Sequence, residues 1–314
     1  MYKEHNGYQK MLQENQLSFG LTVPLENYDK NTPTMEMQVE RAQLAERLGF
    51  HCLWLQDVVL EDPSFEDPAT GQIYDSLIYM TYLASHTSSI QLGTAALVLP
   101  LRHPLRLAKE VASIERLFPE RLMIGISSGD RRKDFEGLGI PIMERSEWFR
   151  EAFHHFKKVL YEEFPSFESS YGKMEKSNLV PKPTNQIPLF MTGYCQQSLD
   201  WVAEHGDGWM FYPQRPAQQK ETIRKYREKV EVFHGDVFRP FFMPLPLELT
   251  EDPEYPAEKI PAGYKVGRNG LKDLLEEYRL IGVNHIMLGL SKNKRPIQDI
   301  IQELGEDVLP NFKF

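Results

Sequence analysis

The sequence predicts a single (β/α)8 barrel with insertions, and three observations carry that expectation. Short apolar runs of strand length alternate with segments of helical period, and the alternation completes eight times. Neither a linker nor an internal repeat divides the 314 residues into two domains. Eight strand-helix units in a chain of this length favour closure over an open doubly wound sheet. Residues 1–17 precede the first unit as an N-terminal extension, and residues 18–314 form the barrel domain.

The first strand is SFGLTV, Ser18 to Val23. A helix over Pro33 to Leu48 follows, with Met35, Val39, Ala42 and Ala45 as its apolar stripe, Thr32 as its cap, Pro33 in its first turn and Gly49 as its stop. HCLWLQ is the second strand and Tyr74 to His86 its helix. The third strand starts at Gln91, and the helix from Pro104 carries Leu107, Val111 and Ile114. RLMIGI is the fourth strand, followed by a helix marked by Trp148, Ala152, Phe153, Phe156 and Val159. IPLFMT leads to a helix over Ser198 to His205, and GWMFY to one carrying Ile223, Tyr226 and Val230. PFFMPLPL with a helix at Leu271, Leu274, Leu275 and Tyr278, then HIMLGL with a helix over Ile297 to Leu304, complete the set. Two long segments rich in Pro and charge interrupt it. Tyr161 to Gln186 follows a helix and starts at the N-terminal face; Leu247 to Asn269 follows the seventh strand, lies over the catalytic face and is a lid candidate.

A composition of 41% hydrophobic and 26% charged residues is that of a globular protein, and the net charge of −9 argues against a nucleic-acid partner. The one basic cluster, Arg131, Arg132 and Lys133, lies between Asp130 and Asp134 and reads as locally balanced. Cys52 and Cys195 are too few for a disulfide framework, which makes a reducing cytoplasm the expected location. The opening MYKEHNGYQKMLQENQ is too polar for a signal peptide, and no apolar run has the length of a membrane span. The adjacent His154 and His155 cannot share a helical face, so no metal site is expected. No Walker loop or GxGxxG follows a strand, which leaves a nicotinamide nucleotide without a recognisable home of its own.

The third strand contains Ala95 and Ala96, and alanine is depleted in strands because it packs little surface there. Two readings are open: the pair fills a tight barrel layer, or something else lies against the backbone. The surrounding residues carry a resemblance. From Phe19 to Trp209, with a weaker continuation to the end, the chain resembles the luciferase-like flavin-dependent monooxygenases. The densest match is LGTAALVLPLRHPLRLAKEVASIERLFPERLMIGISSGDRRKDFEGLGIPIMERSEWFREAF, and IPLFMTGYCQQSLDWVAEHGDGW is the second.

The resemblance implies reduced FMN and O2 acting on a small organic substrate. The reduced flavin would come from a partner flavin reductase, or be formed by nicotinamide bound transiently over it, and the protein would be a homo-oligomer, a dimer. It implies a bulge with a non-proline cis peptide at Ala95–Ala96 behind the flavin ring, and a phosphate cradle at Gly193, Tyr194, Cys195 and Ser198. Serine is common where this chain has Cys195, so the phosphate contact would rest on backbone, Tyr194 and Ser198. Gly267 and Arg268 offer a second phosphate position, near the eighth strand.

Asp57 stands where relatives place an acid beside the flavin, and it could equally cap the following loop. Val58 replaces a histidine found in several relatives, and Ser127 replaces the reactive cysteine of true luciferases, so bioluminescence is not implied. His103, in the His-Pro turn, is a candidate for proton transfer or for orienting the loop. The rival readings are a deazaflavin-dependent hydride-transfer enzyme, a non-catalytic flavin-binding relative, and a flavin-free lyase or isomerase with Asp57 as base.

Overall fold

In the computed structural model, which describes residues 5–28, 32–62, 64–65 and 74–312, the chain opens with the short helix α1 (Asn6–Met11). Then come β1 (Ser18–Thr22), α2 (Gln38–Leu48), β2 (Cys52–Leu55), α3 (Ser76–His86), β3 (Gln91–Val98), α4 (Pro104–Leu117) and β4 (Leu122–Ser127). After α5 (Arg132–Gly137) and α6 (Arg145–Tyr161), a hairpin of β5 (Phe167–Ser169) and β6 (Gly172–Met174) leads to β7 (Leu189–Thr192), α7 (Leu199–His205), β8 (Trp209–Met210) and α8 (Pro216–His234). The last third holds β9 (Phe241–Leu249), the hairpin strands β10 (Glu258–Ile260) and β11 (Gly263–Val266), then α9 (Arg268–Leu280), β12 (His285–Gly289) and α10 (Ile297–Glu303).

Strands β1, β2, β3, β4, β7, β8, β9 and β12 pair in that order, all in parallel, and β12 pairs back onto β1. The sheet is thus an eight-stranded closed barrel, as the alternation in the sequence predicts.

The local differences have local causes. The helix expected from Pro33 begins at Gln38, because the carboxylate of Glu26 takes the amides of Thr34 and Met35 at 2.8 and 2.9 Å and Met35 and Met37 adopt positive φ of 62° and 57°. Its end follows expectation, with Gly49 in the left-handed region and its N–H on Ala45 O. The charged run after the fourth strand forms α5. The segment after α6 does not stay at the N-terminal face: its hairpin climbs the outside of the barrel until Tyr171 O accepts a hydrogen bond from His103 at 2.9 Å, beside the start of α4. The lid candidate is a hairpin as well, its strand β11 extending the sheet alongside the far end of β9.

Inside the barrel, Trp54 fills the lower layer because its neighbours give it room. A Cβ on Gly93 would stand 2.3 Å from the Trp54 ring, and one on Gly20 would stand 2.6 Å from its indole nitrogen. Below Trp54 the residues before the barrel are a plug rather than an appendage. Tyr8, Met11 and Leu12 are buried against Trp54, Met123, Phe190 and Phe242 in a cluster separate from the core between strands and helices.

The histidine that meets Trp54 is His285, fully buried. Trp54 Nε1 donates to its Nε2 at 2.9 Å, so its Nδ1 carries the proton and donates to Ser18 Oγ at 2.6 Å. A second proton would set a donor against the indole N–H. Burial, with the nearby His51, pushes the His285 pKa well below its ordinary value. The unfolded chain therefore binds a proton that the folded chain refuses, and stability is lost as pH falls below about 6.5. Between about pH 7.5 and 5.5 this one group should lower stability progressively, a loss that His285→Gln removes from the pH profile of urea unfolding. A profile unchanged by the substitution would contradict the neutral assignment.

Candidate functional site

The C-terminal ends of all eight barrel strands open into one cavity of about 960 Å³. Thr22, Asp57, Ala95 with Ala96, and Ser127 come from the first four strands, and Thr192, Met210, Leu245 and Met287 from the others. The turn Pro261–Ala262 between β10 and β11 contributes from above, so the lid candidate does overhang this face. Among the described residues, no group of three or more His, Cys, Asp or Glu could hold a metal ion, and no helix is long and apolar enough to cross a membrane.

The Ala95–Ala96 peptide is cis, and the pairing of β3 with β4 shifts register between Thr94 and Leu97 at the same place. Both alanines are half-buried on the cavity wall, so the bulge and its small side chains leave room there. The neighbouring strand accommodates the bulge through Gly125: a Cβ there would meet Thr94 O at 2.2 Å, and Thr94 Oγ1 donates to Gly125 O at 2.8 Å.

Asp57 sits on the same wall with its carboxylate saturated. Oδ2 accepts from Arg102 Nε at 3.0 Å and from Val98 N at 3.2 Å, while Oδ1 accepts from Arg102 Nη2 at 2.6 Å and Ser76 Oγ at 3.1 Å. Four hydrogen bonds fill the lone-pair sites of a carboxylate, so the geometry makes Asp57 a joint between β2, β3 and α3 rather than an open proton acceptor. Arg102 also reaches Asp75 at 2.8 Å, and Asp75 caps α3.

The loop after β7, separated from the bulge by β4 alone, forms the next part of the wall. Gly193, Tyr194, Cys195 and Gln196 line the cavity, and Cys195 and Gln196 take positive φ of 52° and 58°. Trp209 Nε1 donates to Gly193 O at 2.7 Å, which fixes the start of the loop, and Ser146 Oγ donates to Gln196 O at 3.0 Å, which fixes its end. The Cys195 thiol turns into the protein, toward Thr192 O at 3.3 Å and Ile126 O at 3.5 Å, and burial pushes its pKa up to about 12. It is packed as a small apolar group, so only its backbone is available to an anion.

Of the residues that the sequence singles out, Asp57, Ala95, Ala96, Ser127, Gly193, Tyr194 and Cys195 thus meet on one cavity, and His103 and Ser198 stand outside its lining. His103 caps α4: its Nδ1 accepts from Leu105 N at 3.3 Å, which assigns the proton to Nε2 for the bond to Tyr171 O. The Ser198 hydroxyl likewise accepts from Trp201 N at 3.2 Å as the cap of α7. At the alternative phosphate position Arg268 is paired with Glu303 and Asp307 at 3.3 and 3.4 Å, and neither it nor Gly267 is part of the cavity lining. Two residues at the site escape a reading of the sequence: Arg102, whose only signal is a charge in the apolar turn LPLRHP, and Arg131, which hides in a run of alternating charges.

Comparison with known proteins agrees with this geometry. The family model described as luciferase-like monooxygenase matches residues 17–241. The alkanal monooxygenase alpha chain of Photorhabdus luminescens is 28% identical over 213 residues, 66% of this chain and 56% of that protein. The chain spans about half the length of the curated relatives it matches. Among solved structures, an F420-dependent secondary alcohol dehydrogenase in complex with an F420-acetone adduct superposes with a TM-score of 0.78 at 18% identity, covering 95% of this chain and 100% of that one. The oxygenating constituent of 3,6-diketocamphane monooxygenase from Pseudomonas putida, in complex with FMN, gives 0.74 at 11% identity, covering 95% and 99%. Closed parallel barrel, bulged third strand and matched signatures come together in one assignment: the chain belongs to the luciferase-like monooxygenase family.

Proposed function

We propose that the protein is a flavin-dependent monooxygenase that uses reduced FMN and O2 on a small organic molecule. The observation that carries this reading is the pairing of two complementary walls in one cavity. Ala95 and Ala96 leave a flat place for a ring, and on the far side of β4 the loop at Tyr194, Cys195 and Gln196 presents backbone where a phosphate could sit. A volume of about 960 Å³ has room for a cofactor and a small substrate together. Bound reduced flavin would supply the electrons for the chemistry of dioxygen.

The chain's own part is to bind, orient and keep the site dry. Val98, Leu245, Met287 and Leu290 give the cavity apolar walls, and the Pro261–Ala262 turn closes over them. Among the described residues no histidine lines the cavity, in keeping with Val58 at the position next to Asp57. Ser127, at the end of β4, brings a hydroxyl group to the wall. We assign Asp57 a positioning role, since its four hydrogen bonds hold Arg102 and the start of the β3 loop in place.

The second reading, a deazaflavin-dependent hydride-transfer enzyme, is supported by the likeness to an F420-dependent dehydrogenase. A cytoplasmic location and a partner reductase as the source of reduced flavin remain part of the proposal. So does a dimer: α3 turns Ile78 and Tyr82 outward, Ile78 being 73% exposed, beside the exposed Tyr74 that precedes the helix, and an apolar stripe of this kind suits a second copy. Sedimentation velocity should give twice the chain mass, and a monomer at micromolar concentration would remove that part.

Fluorescence titration should show FMN binding at least about tenfold more tightly than riboflavin, with oxygen uptake on adding reduced FMN. Equal affinity for the two would discard the phosphate wall, and binding of F420 without oxygen uptake would select the second reading. Ala96→Val should weaken FMN binding about tenfold or more while shifting stability by less than about 1 kcal/mol, because the space it fills belongs to the ligand. For Asp57→Ala the expected loss is about 1–3 kcal/mol of stability, since Arg102 and the Val98 amide lose an acceptor. Unchanged urea unfolding with abolished turnover would restore Asp57 as a group acting directly on the reactants.

A further inference from the structure

Arg131 is 7% exposed, forms part of the cavity wall, and donates from Nη2 to Leu60 O at 3.1 Å. Its Nε and Nη1 are closed off from water and have no hydrogen-bond partner among the described residues. Two other buried arginines lie outside the cavity lining: Arg121, at 8%, has all three of its nitrogens donating, to Ile90 O, Ala84 O, Thr87 O and Thr87 Oγ1, and Arg239, at 5%, has an unpartnered Nε but donates through Nη1 to Ala203 O. Arg131 has the charge and the burial without the acceptors.

Its neighbours satisfy it only in part. Asp134 stands 3.5 Å from Nε, too far and too poorly aimed to accept, and its other oxygen is used by Leu60 N. The Phe65 ring covers the guanidinium face at 4.6 Å to the centroid. A ring over the face leaves the in-plane N–H groups that Leu60 O does not take for an acceptor that comes edge-on, which is how a carboxylate meets arginine. Ser64 and Phe65 line the same cavity, so the segment that covers the guanidinium is itself part of the wall that a ligand touches. One cation, partly offset by Asp134, suits a monoanion better than a dianion such as a phosphate monoester.

We propose that the substrate is an apolar carboxylic acid whose carboxylate is received by Arg131. The proposal rests on reading the cavity as the active site, and it is tested without flavin so that the two can fail separately. Calorimetric titrations would compare octanoate with octanamide, and phenylacetate with phenylacetamide, on the full chain. At least one acid should bind roughly tenfold or more tightly than its amide, and Arg131→Gln should reduce that preference to about twofold or less. Asp134→Asn, which keeps an acceptor for Leu60 N, should raise the preference several-fold; this second variant serves if Arg131→Gln does not fold. The FMN-over-riboflavin preference of Arg131→Gln should equal that of the unmodified protein. Equal binding of acid and amide in both pairs overturns the proposal. So does a loss of FMN-over-riboflavin preference in Arg131→Gln, which would make the cofactor phosphate the anion at this place.

Discussion

The pairing of β8 with β9 turns a sheet into a ring, and most of what is particular to this protein follows from that closure. A closed sheet has no edge strands to protect, but it has an interior with two ends, and each end has to be either filled or used. The lower end is filled twice, by the Trp54 indole lying over Gly20 and Gly93 and by α1 packed beneath it. The upper end stays open as the cavity. Closure also dictates who can line that cavity: with strands in parallel, the residues at their C-terminal ends converge although they are far apart in sequence.

Convergence alone would leave eight independent loops. Arg102 joins two of them, holding Asp57 and Asp75, at the two ends of the loop between β2 and α3, from its own place after β3. The side chains of Asp57 and Arg102 are 6% and 19% exposed, so the pair is screened from solvent but its outer member keeps some hydration. In such a setting the charges need their full set of hydrogen bonds, and Asp57 has it. The rim of the cavity beside the Ala95–Ala96 bulge is therefore held in one arrangement before any ligand arrives.

The barrel was legible because its signal is repeated: eight apolar runs, each followed by a helical stripe, make the closure argument insensitive to an error in any one of them. The start of α2 was not, because a distant carboxylate, Glu26, takes the amides that a helix cap would have needed. The plug was invisible for a similar reason. Tyr8, Met11 and Leu12 sit in a polar segment, and only the shape of the barrel mouth selects their side chains for burial. At the site, the two alanines and the loop after β7 could be found from family signatures. Arg131 could not, since Asp130 and Asp134 on either side give the run the look of a solvated surface. A residue's partners three positions away say nothing about whether a loop folds inward.

Beneath the cavity lies a layer rich in sulfur, where Met210 and Met287 belong both to the cavity wall and to the cluster that continues down through Met123 to Met11. Thioether side chains are unbranched and polarizable, and they fill an irregular space by changing torsion rather than by fixing one shape. The floor of this chamber is thus compliant where its rim is stiff. A lineage that had to accept a longer or wider molecule could remodel depth by exchanging one methionine at a time, without disturbing the strands, their closure or the ion pairs above. The division of labour between a rigid mouth and a yielding base gives this barrel a direction in which its specificity can drift at small cost to folding.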